Sequence, residues 1–151
     1  MEALCSGLAL ERDATTLGRA KPESPLGRIV AEHGKVTGRA TVAAARDGDP
    51  DAVELLQKLG TWLGVGISNA MNVFEPEAIV IGGGLSAASD LFLPRAIDEA
   101  RSRVLPALLP KMRVDVAHGG AAAGAIGAAL LAAQEHALAN THTHTAIEGA
   151  L

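Results

Sequence analysis

Three consecutive glycines, Gly82, Gly83 and Gly84, are the residues of this chain whose type and spacing best suit ligand chemistry. They follow the β-branched run Ile79-Val80-Ile81, which predicts a short buried strand. Glycines leave backbone N–H groups uncovered and accept positive φ, so such a turn can hold a phosphate or nucleotide against the main chain. The helix predicted from Ala87 would add partial positive charge on the same side. A tight turn without a ligand is the alternative, since the pattern is neither a Walker A loop nor a GxGxxG fingerprint.

The rest of the sequence offers no recognisable catalytic set. It has no Gly-x-Ser-x-Gly elbow, no Cys and His pair arranged for nucleophilic attack and no carboxylate pair placed for acid–base work. His142 and His144 form a weak metal candidate, because two histidines on a mobile tail lack fixed geometry. His118 is of more interest, since it follows a predicted strand and precedes two glycines. We therefore predict a binding portion with no catalytic residue and no metal ligand.

Composition narrows the class of protein further. The 151 residues are 48% hydrophobic, enough for one domain or lobe. A net charge of −4, two Phe, one Trp and no Tyr argue against nucleic acid as a partner. The single cysteine, Cys5, excludes an internal disulfide and fits the cytoplasm. No signal peptide is recognisable, and the longest apolar run, 121–133, is too short to cross a bilayer, so no membrane contact is expected.

Apolar spacing predicts a helix-rich α/β chain with a small sheet. Helices are expected at 2–11, from Leu26 to about Gly34, from Thr37 or Gly38 to the Gly48-Asp49-Pro50 turn, at 50–74, at 87–105 and at 121–138. Strands are expected at 78–81 and 113–117. The first strand should be covered on both faces and the last helix should be buried. Gly60, Gly64 and Gly66 predict close approach of another element to the long helix, and Trp62 is expected in the core. Residues 139–151 are expected to form a disordered tail.

Four segments in order carry a family resemblance: 1–7, 43–49, 63–69 and 80–84. Together they resemble the C-terminal half of ROK-family sugar kinases, and bacterial glucokinases look most similar. The resemblance covers about residues 1–136. It implies part of an actin-like, ribonuclease H-like ATPase lobe over residues 1–138, in which Gly82, Gly83, Gly84 and the adjoining Leu85 bind the nucleotide.

The resemblance also implies ligands and a reaction. Glu2 matches the glutamate that ends the family's zinc-binding run and contacts sugar hydroxyls, whereas the zinc cysteines have no counterpart here. The family's phosphate loop, its catalytic Asp and its Glu-x-Gly-His motif are likewise absent from this sequence. A complete enzyme would transfer the γ-phosphate of ATP, with Mg²⁺, to the 6-hydroxyl of glucose or a related hexose. A homodimer is a further expectation from the family.

Two other functions stay open. The same fold could be the sugar-sensing lobe of a ROK-type transcriptional repressor, which would need a DNA-binding domain that this sequence does not contain. The intact triple glycine favours the kinase, because a sensor need not bind ATP. The chain could also be an interaction module that self-associates through exposed lobe surface.

Overall fold

The computed structural model describes residues 1–118 and 122–148. These residues form helices α1 Glu2–Cys5, α2 Gly7–Ala20, α3 Pro25–His33, α4 Gly38–Arg46, α5 Pro50–Phe74, α6 Leu93–Arg101 and α7 Ala123–Glu148. Strands β1 Ile79–Ile81 and β2 Val114–Val116 form a two-stranded sheet, and 3₁₀ segments span Ser86–Leu91 and Leu109–Lys111. The predicted helix-rich chain with a small sheet is confirmed.

Polar side chains begin four of the helices by accepting hydrogen bonds from first-turn N–H groups. Ser6, Ser24, Thr37 and Asp49 take this role for α2, α3, α4 and α5. Asp49 accepts from the N–H groups of both Asp51 and Ala52. The predicted bounds of α5 are confirmed. They could be predicted because an Asp-Pro pair marks the start of the helix and a Glu-Pro pair marks its end.

Helix α5 lies at the centre of the core, with Leu56, Ile67 and Met71 almost fully buried. Its glycines let α6 approach closely. A Cβ at Gly60 would lie 2.5 Å from the Phe92 carbonyl O, and one at Gly64 would lie 2.5 Å from the Ala96 carbonyl O. The predicted close approach is therefore confirmed at Gly60 and Gly64, whereas a Cβ at Gly66 would meet the side chain of Met1.

The two strands are parallel, with Ile79 opposite Val114 and Ile81 opposite Val116. Ile79 and Ile81 pack against the main core. Val80, on the opposite face, is 60% exposed, so the expectation that β1 is covered on both faces is wrong for the described residues. The continuous apolar run indicates that these residues form a strand, but it does not show that a second layer covers the strand.

Several other boundaries and burials differ from the sequence predictions. The helix expected at 2–11 is interrupted at Ser6, which adopts an extended backbone, and α2 continues to Ala20 instead of ending at Glu11. The helix expected from Ala87 is a 3₁₀ segment with a kink at Ala88, and α6 begins only at Leu93, where Pro94 occupies its first turn.

Burial was predicted wrongly at two places. Trp62 is 39% exposed and is not a core residue. The part of α7 whose burial is described, residues 123–136, is not buried, since Ile126 and Leu130 are 50% and 66% exposed. Helix α7 also extends to Glu148, so the segment expected to be disordered from residue 139 is helical as far as Glu148.

Among the described residues, no helix combines the length and apolar character that crossing a bilayer requires.

Candidate functional site

The triple glycine lines a cleft of about 350 Å³ that opens between the end of β1 and the junction of α1 with α2. A volume of this order suits part of a small ligand. One wall is the turn itself, Gly82 to Ser86, and the opposite wall is Cys5, Ser6 and Gly7. Apolar residues complete the lining: Leu59, Leu63, Val80, Ile81 and Phe92. The cleft therefore combines uncovered backbone with an apolar floor.

The turn leaves its backbone open to a ligand. Gly83 has φ of 99°, a conformation that favours glycine. A Cβ at Gly83 or Gly84 would meet no atom within 4 Å. Within the described part of the chain, the backbone N–H groups of Gly83, Gly84 and Leu85 donate no hydrogen bond. These groups can donate to an acceptor in the cleft.

Two helices begin next to this turn. Helix α2 starts at Gly7 on the cleft wall. Helix α4 starts at Gly38, where a Cβ would lie 3.8 Å from both the Gly7 carbonyl O and Leu85 Cδ2. Glu11 Oε1 accepts from the Gly38 N–H at 3.2 Å and holds the two helices together. The Glu11 carboxylate offsets the partial positive charge at the start of α4. The start of α2 at Gly7 is therefore the helix end that can favour an anionic or strongly polar ligand in the cleft.

The thiol of Cys5 is half-buried at the edge of the cleft and donates to the Met1 carbonyl O at 3.3 Å. Burial raises the pKa of the Cys5 thiol, and the nearby N-terminal charge only partly opposes this. The thiol is therefore protonated near neutral pH and is a poor nucleophile. The cleft is equipped to bind and has no activated nucleophile among its described residues.

The predicted nucleotide residues Gly82, Gly83, Gly84 and Leu85 come together in this cleft. Glu2 does not join them: it is an exposed residue in the first turn of α1 and does not line the cleft. Sequence reasoning missed Ser6 and Gly7 as parts of the site, because it placed both inside one continuous helix over 2–11. Nothing in their spacing indicated that a turn more than 70 residues later would lie opposite them.

His118 is not brought to the triple glycine. It is exposed and lines a separate cleft of about 830 Å³ between the sheet and α7, together with Val80, Ile126 and Leu130. The side chains of His142 and His144 lie outside the described part of the chain. In the part that is described, no three His, Cys, Asp or Glu side chains are grouped so that they could hold a metal ion.

Comparison with known proteins defines the class to which this site belongs. The ROK family model matches residues 1–135, so this chain belongs to the ROK family. The ROK sugar kinases that it resembles in structure have the actin-like ATPase fold, and the chain forms a sugar kinase-like lobe of that fold.

The chain is similar both to sugar kinases and to a transcriptional regulator of this family. It is 36% identical over 135 residues to a glucokinase of Streptomyces coelicolor, covering 87% of this chain and 43% of that protein. A glucokinase of Streptomyces griseus, solved with glucose and AMPPNP, superposes with a TM-score of 0.77 at 33% identity, covering 88% of this chain and 44% of that chain. A ROK transcriptional regulator homologous to Escherichia coli MLC superposes with a TM-score of 0.65 at 30% identity, covering 76% and 28%. The chain thus spans less than half the length of these relatives.

Proposed function

We propose that this chain is the nucleotide-binding portion of an ATP-dependent glucokinase-like enzyme that phosphorylates the 6-hydroxyl of glucose or a related hexose. The open triple-glycine turn carries the proposal. Within the residues that the structure describes, the N–H groups of Gly83, Gly84 and Leu85 donate no hydrogen bond, and a Cβ at Gly83 or Gly84 would meet no atom within 4 Å. The similarity to a glucokinase solved with glucose and AMPPNP supports ATP and a hexose as the ligands.

The residues present fit binding better than chemistry. The apolar floor can cover the nucleoside, while the turn and the start of α2 supply N–H groups and positive potential for polar atoms. Among the residues that the structure describes, no three Asp, Glu, His or Cys side chains are grouped to hold a metal ion. In the proposed enzyme Mg²⁺ accompanies the ATP phosphates. The base that accepts the sugar proton would come from outside these residues, as the family resemblance implies. The isolated chain should therefore bind nucleotide without turning it over.

Three features of the full protein stay predictions from the resemblance. They are contact of Glu2 with sugar, a homodimer and a cytoplasmic location. The exposed position of Glu2 in α1 makes it available to a ligand outside the cleft described here.

A sugar-sensing lobe of a ROK repressor is the second candidate, and the similarity to the MLC homologue supports it. The two candidates differ in what the triple glycine should do. A kinase portion needs the turn to accept a nucleotide, whereas a sensor does not.

Calorimetric titration of the folded chain with Mg-ATP tests the proposal, with Gly84→Val as the first variant. Gly84 has no positive φ and faces open space, so valine adds bulk to the cleft with little strain on the backbone. We expect binding by the wild-type chain and at least about tenfold weaker binding by the variant. No binding by a folded wild-type chain would contradict the proposal and favour the sensor.

A second pair of variants separates blocking of the cleft from backbone strain. Gly83→Val places a side chain in the cleft and also forces valine to a φ of 99°. Gly34→Val imposes comparable strain at a φ of 77°, with the same open surroundings, at the end of α3 and away from the cleft. Only Gly83→Val should abolish nucleotide binding. A coupled glucose phosphorylation assay on the same samples should show no turnover.

A further inference from the structure

We infer that Ser86 is a positioning residue that holds the triple-glycine turn in the shape that accepts a nucleotide, an inference that rests on the function proposed above. Ser86 follows the turn directly, lines the cleft and is only 5% exposed. Its hydroxyl donates to the Gly83 carbonyl O at 2.7 Å, and its backbone N–H donates to the same oxygen at 3.1 Å. Two donors on one carbonyl fix the orientation of that peptide group.

The orientation matters because the same peptide group carries the Gly84 N–H. The peptide is planar and trans, so its N–H points away from its carbonyl oxygen. With the oxygen directed to the buried Ser86, the Gly84 N–H is directed to the opposite, open side of the turn. Three successive glycines would otherwise allow many backbone conformations. Ser86 thus restricts the backbone of the turn before a ligand binds, so binding loses less conformational entropy.

The burial of Ser86 adds to this interpretation. A buried hydroxyl needs a partner, and the Gly83 carbonyl is the one it has. An apolar residue of similar size would fill the space but would leave the turn with the backbone hydrogen bond alone. The turn is therefore fixed by the hydroxyl at position 86, and not only by the packing of a small side chain there.

The variant Ser86→Ala tests the inference, beside a matched control. Ser68→Ala removes another buried hydroxyl, which donates to the Val65 carbonyl O at 2.8 Å inside α5, and Ser68 does not line the cleft. For Mg-ATP measured by calorimetry, we expect Ser86→Ala to raise Kd about fivefold, the effect of one neutral hydrogen bond. Ser86→Thr keeps the hydroxyl and should restore Kd to within about twofold, and Ser68→Ala should leave Kd unchanged.

A second readout needs no ligand. Backbone amide relaxation in the free protein should show Gly83 and Gly84 as ordered in the wild type and more mobile in Ser86→Ala, with an unchanged pattern in Ser68→Ala. An unchanged Kd in Ser86→Ala, or equal loss of binding in both alanine variants, would overturn the inference while leaving the nucleotide site standing. Absence of binding by the folded wild-type chain would refute the proposed function itself, and the role of Ser86 with it.

Discussion

Replacing Gly64 by alanine tests the helix packing on which the cleft depends. In an exposed helix interior this change would stabilise the helix by about 1 kcal/mol, because alanine has the higher helix propensity. In this fold the new Cβ would lie 2.5 Å from the Ala96 carbonyl O and 2.6 Å from Glu99 Cβ. Ordinary contacts of this kind begin at 3.4 Å, so α5 and α6 would have to separate by several tenths of an ångström or more.

The obstacle is largely backbone, so a change of rotamer cannot relieve it. Overpacking of this kind costs about 1–3 kcal/mol. Because these contacts would be much shorter than ordinary van der Waals contacts, we expect a cost at or above the upper end of that range. After the helix-propensity gain is subtracted, Gly64→Ala should lower the free energy of unfolding by about 2 kcal/mol. For a chain of this length that corresponds to a fall in Tm of about 6 °C.

Urea unfolding followed by circular dichroism measures the effect directly. Gly127→Ala is the matched control, because Gly127 also lies within a helix but a Cβ there would meet no atom within 4 Å. The control should leave the unfolding midpoint unchanged or raise it. If Gly64→Ala raised the midpoint as well, the close approach of α5 and α6 described here would be wrong.

Three further predictions concern individual side chains. Asp49→Ala should lower the free energy of unfolding by about 1–2 kcal/mol in urea titrations, because it removes the cap of α5, and Asp49→Asn should lose less. Burial alone would raise the pKa of Asp13, but hydrogen bonds from Arg12 and Lys58 outweigh it and lower that pKa. The resulting stabilisation is less than about 1 kcal/mol. It is present above the carboxyl pKa of the unfolded chain and is lost as pH falls through the lowered pKa of Asp13 in the folded protein. Asp13→Asn should therefore make the free energy of unfolding depend less on pH in this range. Alkylation of Cys5, followed by mass spectrometry, should be slow at pH 7, accelerate as pH rises and be slowed by Mg-ATP; fast labelling that nucleotide does not alter would contradict the described cleft.

Much of the helical framework could be predicted because its signals are local. Thr37, Asp49 and Gly34 mark helix ends through their own side chains or backbone preferences. The triple glycine could likewise be assigned to a turn with uncovered backbone after β1, since three glycines leave no side chain over the main chain, while its role in binding stays a prediction. Gly60 and Gly64 predicted close packing, although not the identity of the helix that approaches them.

The remaining features depend on contacts between distant parts of the chain. Ser6 and Gly7 face the glycine turn only because α2, α4 and α5 pack together, and no periodicity encodes that arrangement. The exposure of Val80 and of α7 was missed for a related reason, because an apolar run indicates a preference for burial without supplying the surface that buries it. The role of Ser86 also required coordinates, since the sequence does not show which carbonyl its hydroxyl meets.

Amide chemical shifts of the isotope-labelled chain, recorded by NMR with and without Mg-ATP, would locate the nucleotide on the molecule. We expect the largest changes at Gly83, Gly84 and Leu85 and at Gly7 on the opposite wall, with little change around His118 in the second cleft. Changes centred on His118, or no saturable change at the glycine turn of a folded chain, would contradict the assignment of this cleft as the nucleotide site.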